Sequence, residues 1–270
     1  MDALQTGPGP GPASLPMYDP PSCRAANDRL WAGLRDALRA EGHAAPEALS
    51  RPNDLMAHWL DPRLVLSQTC GLPFRHLLCG RVTLVGTPDY GLEDCPPGHY
   101  RSVIIARADD PRTDLGALAG ARMAFNEGLS QSGWGAPWRL AQSRGLRLAP
   151  TLRTGAHRLS ARAVAEGRAD WAALDAVTWR LLCRDEPWSA TLRVVETTPP
   201  TPGLPLIAAQ GADAAALLAA CRSAIAALEA GSRATLGLCG IVSIAAEAYL
   251  ALPVPPAPEP VPETPPDPAP

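Results

Sequence analysis

Between two proline-rich ends, this chain alternates short apolar runs with amphipathic segments. Such a rhythm belongs to strands joined by crossover helices, and it predicts an α/β fold. Leu15–Tyr18 reads as a short opening strand, followed by Leu64–Ser67, Val82–Val85, Tyr100–Ala106, Met123–Phe125, Leu148–Leu152, Trp171–Leu174 and Leu192–Val195. Leu30, Trp31, Leu34 and Leu38 recur on one helical face, and Asn53 or Asp54 is placed to cap a helix carrying Leu55, Met56, Trp59 and Leu60. Shorter helices are expected over residues 115–120, 132–143 and 160–166. Pro199–Ala208 reads as a return crossing, after which Asp213 caps a long Ala/Leu helix and a second apolar helix follows Gly240.

The ends themselves, residues 1–13 and 253–270, have little to bury and are expected to be disordered or extended like polyproline. With 270 residues, the chain has room for two modest cores. A hydrophobic content of 46% against 19% charged residues separates the middle from disordered sequences. All 24 cationic residues are Arg, scattered through a chain of net charge -3, so no basic stripe follows a nucleic-acid backbone. The seven Cys form no CxxC pair and no His-Cys cluster at zinc-ligand spacing; neither a metal site nor a disulfide framework is expected, and most of these thiols should be buried as small hydrophobes. Met1–Thr6 has neither a cationic nor an apolar export region, so the chain as written reads as cytoplasmic. No apolar run approaches the ~20 residues that span a bilayer, since Asp213 and Arg222 interrupt the Ala-rich stretch, and a soluble protein is expected.

Chemistry concentrates in three turns. Asn126–Gly133, with Ser130 and Ser132, lies between a strand and a helix, where hydroxyls and backbone N–H groups meet the positive end of a helix dipole and suit an anion. Thr154–Arg158, carrying His157, is a second polar turn after a strand, and Asp175 ends a third strand. Ligands of open α/β sheets bind at such carboxyl ends.

Tyr18-Asp19, Ser67–Gly71, Tyr100–Ser102, Phe125–Gly133 and Thr154–His157, with Val164, Gly167, Asp170 and Asp175, occur in that order. In them the chain resembles the phosphate/phosphite/phosphonate solute-binding proteins of ABC importers, over about Met17 to Ile207. The resemblance implies a two-lobed type II periplasmic-binding-protein fold, each lobe a mainly parallel sheet flanked by helices. Residues 14–101 and 204–252 would form lobe 1 and residues 102–203 lobe 2, with hinges at Tyr100–Ala106 and Pro199–Ile207. It implies a small oxyanion held in an interlobe cleft by Tyr18, Thr69, Tyr100, Ser130, Gln131, Ser132, Gly133, His157 and Asp175. It further implies an ABC-importer permease as partner, a monomer, periplasmic location, and no cofactor, catalytic residue, nucleic acid or membrane insertion. Two departures stand out: Gln131 occupies the middle of the serine turn, where the family can carry a hydroxyl, and Thr198–Pro205 contains no carboxylate for an ammonium group. Two other readings remain at this stage, a non-exported enzyme on the same fold, with Ser130 or Ser132 and His157 as nucleophile and base, and a ligand sensor.

Overall fold

The apolar runs become strands of two separate five-stranded sheets in the computed structural model, which describes residues 9–263. In chain order come β1 (Ala13–Ser14), a 3-10 turn (Pro16–Tyr18), α1 (Pro21–Ala40), α2 (Leu55–Trp59) and β2 (Leu66–Gln68). After α3 (Gly71–Pro73) and a π-helical turn (Phe74–Leu78) follow β3 (Val82–Asp89), β4 (His99–Tyr100), β5 (Ser102–Arg107), α4 (Leu115–Leu118) and β6 (Met123–Phe125). A second π-helical turn (Gln131–Gly135) runs into α5 (Ala136–Ser143), then β7 (Pro150–Arg153), α6 (His157–Ala165), β8 (Trp171–Asp175) and α7 (Ala176–Asp185). The chain ends through β9 (Leu192–Thr197), β10 (Thr201–Pro202), β11 (Leu206–Ala209), α8 (Ala214–Ala227), α9 (Ala230–Leu236), β12 (Gly240–Val242) and α10 (Ala246–Leu250). Among the described residues, no single helix is long and apolar enough to cross a membrane.

Two compact units result. Among the described residues, the first gathers 9–70, 74–91 and 203–246, the second 71–73, 92–202 and 247–263. Relative to the expected lobes, residues 71–73, 92–101 and 247–252 group with the second unit rather than the first. The expected hinge Tyr100–Ala106 is also redrawn, because Ser102–Ala106 lies inside β5, paired on both sides in the second sheet.

The first unit's sheet has the order β1-β2-β11-β3-β12. Strands β1, β2 and β3 run one way, and β11 is inserted antiparallel between β2 and β3. The opening strand lies two residues earlier than Leu15–Tyr18, since Pro16 has no N–H for a ladder and starts a 3-10 turn instead. Residues 11–13 are consequently no tail: Pro12 O accepts from Val65 N at 2.9 Å, and Ala13 pairs with Leu66. Residues 9 and 10 are exposed and outside any element, and residues 1–8 of that expected tail lie outside the described residues. α1 buries Leu30, Trp31, Leu34 and Leu38 and packs against α8 and α9. A Cβ at Gly86 would come within 2.8 Å of Leu218 Cδ1, 3.1 Å of Ile241 Cδ1 and 3.2 Å of Val242 O, so α8 and β12 both crowd β3 at this glycine. The segment after Gly240 forms β12 on β3 before the expected helix begins.

The second sheet has the order β7-β6-β8-β5-β9, with all strands but β5 running the same way. Four of the second sheet's five strands therefore share a direction, whereas the first is mixed rather than mainly parallel as expected: β1, β2 and β3 run one way, β11 and the edge strand β12 the other, and three of its four pairings are antiparallel. Both faces of β5 are covered: Val103 and Ile105 pack with Ala172, Leu174 and Val164, while Ile104 and Ala106 pack with Trp171, Ala173 and Phe125. Burial on both faces explains the unbroken apolar run.

The chain after Leu252 departs from the expected solvated tail as far as Glu263. Pro256 O accepts from Trp134 Nε1 at 2.8 Å, Pro262 O accepts from Arg153 N at 3.1 Å, Val261 packs on the core, and Glu263 forms a parallel bridge with Arg153 beside the sheet edge at β7. Proline cannot donate, but its carbonyl accepts, and that is how this segment is held. The thiols also depart from expectation: Cys23 and Cys221 are buried, Cys70, Cys79 and Cys95 partly so, and Cys183 and Cys239 are exposed.

Candidate functional site

Strands β6, β7, β8 and β9 end at one edge of the second unit's sheet, and antiparallel β5 begins there. Register brings Ser102 opposite Asp175, and Phe125 opposite Arg153. The turns that follow are tied together by Thr154 N donating to Phe125 O at 2.9 Å and Gly155 N donating to Asn126 O at 3.0 Å. Asn126, Thr154, His157, Asp175, Ser102 and Thr198 thus meet at a carboxyl edge, the ordinary ligand position of such sheets.

The serine turn divides its labour. Ser130 is an N-cap whose Oγ accepts from Gly133 N at 2.9 Å, and its carbonyl accepts from Trp134 N and Gly135 N. Ser132 Oγ instead lies 2.8 Å from His157 Nε2. Gln131 and Ser132 are buried at the start of a helix running from Gln131 to Ser143, where first-turn N–H groups and the dipole favour negative charge. Gly133 is required by close approach, because a Cβ there would sit 1.9 Å from Asn126 Oδ1.

His157 is the first residue of α6, and burial of its ring lowers its pKa to about 4, so it is neutral near pH 7. A neutral imidazole and a hydroxyl carry two protons between them and share one hydrogen bond. Whichever tautomer is present, one donor is left over: His157 Nδ1–H if Ser132 donates, or Ser132 O–H if the imidazole donates. Ser102 Oγ, Asn126 Oδ1 and His157 Nδ1 are all buried without a hydrogen-bond partner among the described residues. Each such group costs about 1–3 kcal/mol unless something satisfies it, and three at one edge mark a place built for a polar ligand.

Of the residues expected from sequence, Ser130, Gln131, Ser132, Gly133 and His157 come together here. Asp175 stands on the same edge, but its Oδ1 accepts from Val177 N at 2.7 Å and Thr178 N at 3.0 Å, capping α7. Tyr100 is buried and pairs with Thr201 across a two-stranded ladder. Tyr18 and Thr69 belong to the first unit. The Tyr18 ring meets Tyr90 edge-on at 4.8 Å, while Thr69 is fully buried, its N donating to Pro205 O and its Oγ1 lacking a partner among the described residues. Sequence reasoning left Ser102 and the Asn126 side chain out of the ligand set. Their signal was positional: one opens a strand and the other closes one, both at the edge that carries His157.

A sheet pair of this order, with a polar carboxyl edge and helices on both faces, is the fold of type II periplasmic binding proteins, and solved structures bear this out. PhnD1 from Prochlorococcus marinus in complex with methylphosphonate matches at a TM-score of 0.68 and 15% identity, covering 90% of this chain and 95% of that one. XAC2383 from Xanthomonas citri bound to ATP matches at 0.66 and 17%, covering 90% and 96%. A binding protein component of an ABC phosphonate transporter from Pseudomonas aeruginosa matches at 0.66 and 16%, covering 90% and 84%. No curated protein sequence matches. Residues 81–249, more than half of the chain, match the model of the ABC transporter phosphonate periplasmic substrate-binding proteins, and the chain belongs to that family.

Proposed function

We propose that this protein is a solute-binding protein that captures a small phosphorus oxyanion, phosphate, phosphite or a phosphonate, for ABC-type import. The observation that carries this reading is the Ser132–His157 pair at 2.8 Å, set at a helix N-terminus on the same edge as the Ser102 hydroxyl, which is buried without a partner among the described residues. Neutral donors and a helix dipole supply the attraction, which suits a chain without Lys.

Calorimetry with phosphate, phosphite, methylphosphonate, sulfate and malate tests the proposal. At least one phosphorus oxyanion should bind, and Ser132→Ala should weaken it about ten-fold, the loss of one hydrogen bond to a charged group. Binding of malate alone, or an unaltered affinity in the variant, would overturn the assignment. Incubation of the ligand with protein followed by phosphorus NMR separates capture from turnover: an unchanged spectrum supports capture.

A further inference from the structure

The C-terminal segment buries every third residue. Leu252, Pro258 and Val261 are half-buried and Pro255 is buried, while the residues between them, 253–254, 256–257 and 259–260, are exposed. A recurrence of three is the period of a polyproline II helix, which proline's fixed φ favours and which needs no internal hydrogen bonds. The segment docks within the second unit, to which it belongs, as proline-rich peptides dock on aromatic-lined surfaces. Trp134, 4% exposed and tilted on the Phe125 ring at 5.8 Å, donates Nε1–H to Pro256 O at 2.8 Å, and Val261 packs on the core that both rings share.

The anchors of this arm flank the serine turn. Ahead of the turn, a Cβ at Gly128 would come within 3.0 Å of Pro258 Cδ. Arg153 joins the same loop to the arm, Nη2 donating to Glu127 Oε2 at 2.6 Å and Nη1 to Glu263 Oε1 at 2.5 Å. Behind stands Trp134, two residues after Ser132 in the same π-helical turn. One segment thus grips residues 130–133 from both ends. A turn free to rearrange must be ordered when an anion binds, at a cost in affinity. A turn already held meets that cost during folding, and an arm of prolines loses little backbone freedom in holding it.

We propose that residues 252–263 are a positioning arm for the anion site: docked in polyproline II register, the arm fixes residues 130–133 in their binding geometry, and anion affinity depends on it. The dependence of affinity rests on the oxyanion reading; the ordering of the turn does not.

Two paired substitutions in the full chain, matched in chemistry and opposite in face, test the arm. Pro258→Ser with Val261→Ser strikes the docked face, and Ala257→Ser with Pro260→Ser strikes the exposed one. The docked-face variant should speed hydrogen exchange of the Trp134 indole N–H and of the Gly133 and Trp134 amides by about five-fold or more. It should weaken by a similar factor whichever of phosphate, phosphite or methylphosphonate the wild type binds, measured by calorimetry. The exposed-face variant should stay within about two-fold of the wild type in exchange and affinity alike. By reciprocity, a saturating anion should slow exchange of the indole N–H in the wild type. An unaltered affinity in the docked-face variant, whether or not the indole is freed, would reduce the arm to a passive cover and overturn the proposal. Equal effects of the two variants would overturn the docking register. If the wild type binds no phosphorus oxyanion, the proposed function falls and the turn amides judge the arm: faster exchange in the docked-face variant upholds the ordering, and unaltered exchange overturns it.

Discussion

Ser130 and Ser132 stand two positions apart yet are engaged by different partners, and substitution should separate them. Ser130→Ala removes an N-cap and should cost about 1 kcal/mol of stability, read by urea denaturation, through lost support of the Gly133 N–H. Ser132→Ala should act chiefly on anion affinity, as argued above. Gly133→Ala should damage both, since its methyl group would displace the Asn126 side chain; a variant that binds and unfolds like wild type would contradict the observed approach. His157 adds a pH dependence whose sign is definite. Its folded pKa of about 4 lies below the ordinary value of 6.5, so the unfolded chain takes up a proton that the native state resists. Its contribution to stability is therefore complete above pH 6.5 and is lost as pH falls toward 4. His58, also lowered by burial, acts with the same sign. His157→Gln should flatten part of this slope without abolishing it. The turn itself was legible in the sequence because Ser, Gly and a following apolar helix have a local signature. Asp175 was legible only as a polar residue at a strand end: ligand carboxylate and helix cap look alike until the Val177 and Thr178 amides are seen pointing at it.

At the scale of elements, β5 is the case where sequence and structure agree best, because burial on both faces leaves no polar interruption to misread. α7 was not anticipated, its buried face amounting to Ala176, Val177, Leu181 and Leu182 on a short segment that also carries Arg180, Arg184 and Asp185. The segment Pro253–Glu263 was misread for a physical reason. Composition scales count apolar burial and donors, whereas this segment is held mainly by carbonyls that accept from Trp134 and Arg153. It also closes over the loop before the serine turn, where Gly128 leaves room for Pro258. Truncation after Leu252 should lower the urea midpoint and speed hydrogen exchange at the Arg153 amide, the bond that covers an edge strand. Glu263→Gln should change stability by less than about 0.5 kcal/mol, because its pair with Arg153 is exposed on both sides. A truncated chain with unaltered exchange would show that the segment does not protect this edge.

For the molecule as a whole, an oxyanion that binds only the native state should stabilise the fold by mass action, by about 2.7 kcal/mol at a hundred times its Kd, and so raise the unfolding temperature. A thermal-shift series with the five anions gives the ranking without labels, and sulfate responding as strongly as every phosphorus anion would remove the phosphorus preference. Fold class was readable from the alternation of runs, but sheet order was not: β11 inserts between strands more than a hundred residues upstream, and no local pattern encodes that pairing. The same insertion dictates a timetable for synthesis. β5 to β9 leave the ribosome as one continuous stretch, and their sheet can form while the first unit still lacks its middle strand. Until residues 206–209 emerge, β2 lacks its partner on one side and β3, whose other neighbour β12 follows later still, on both, so the nascent chain carries three strand edges without their native partners through the translation of more than a hundred residues. The half that is made first is completed late, and a chaperone that shields strand edges would find its target there, on β2 and β3.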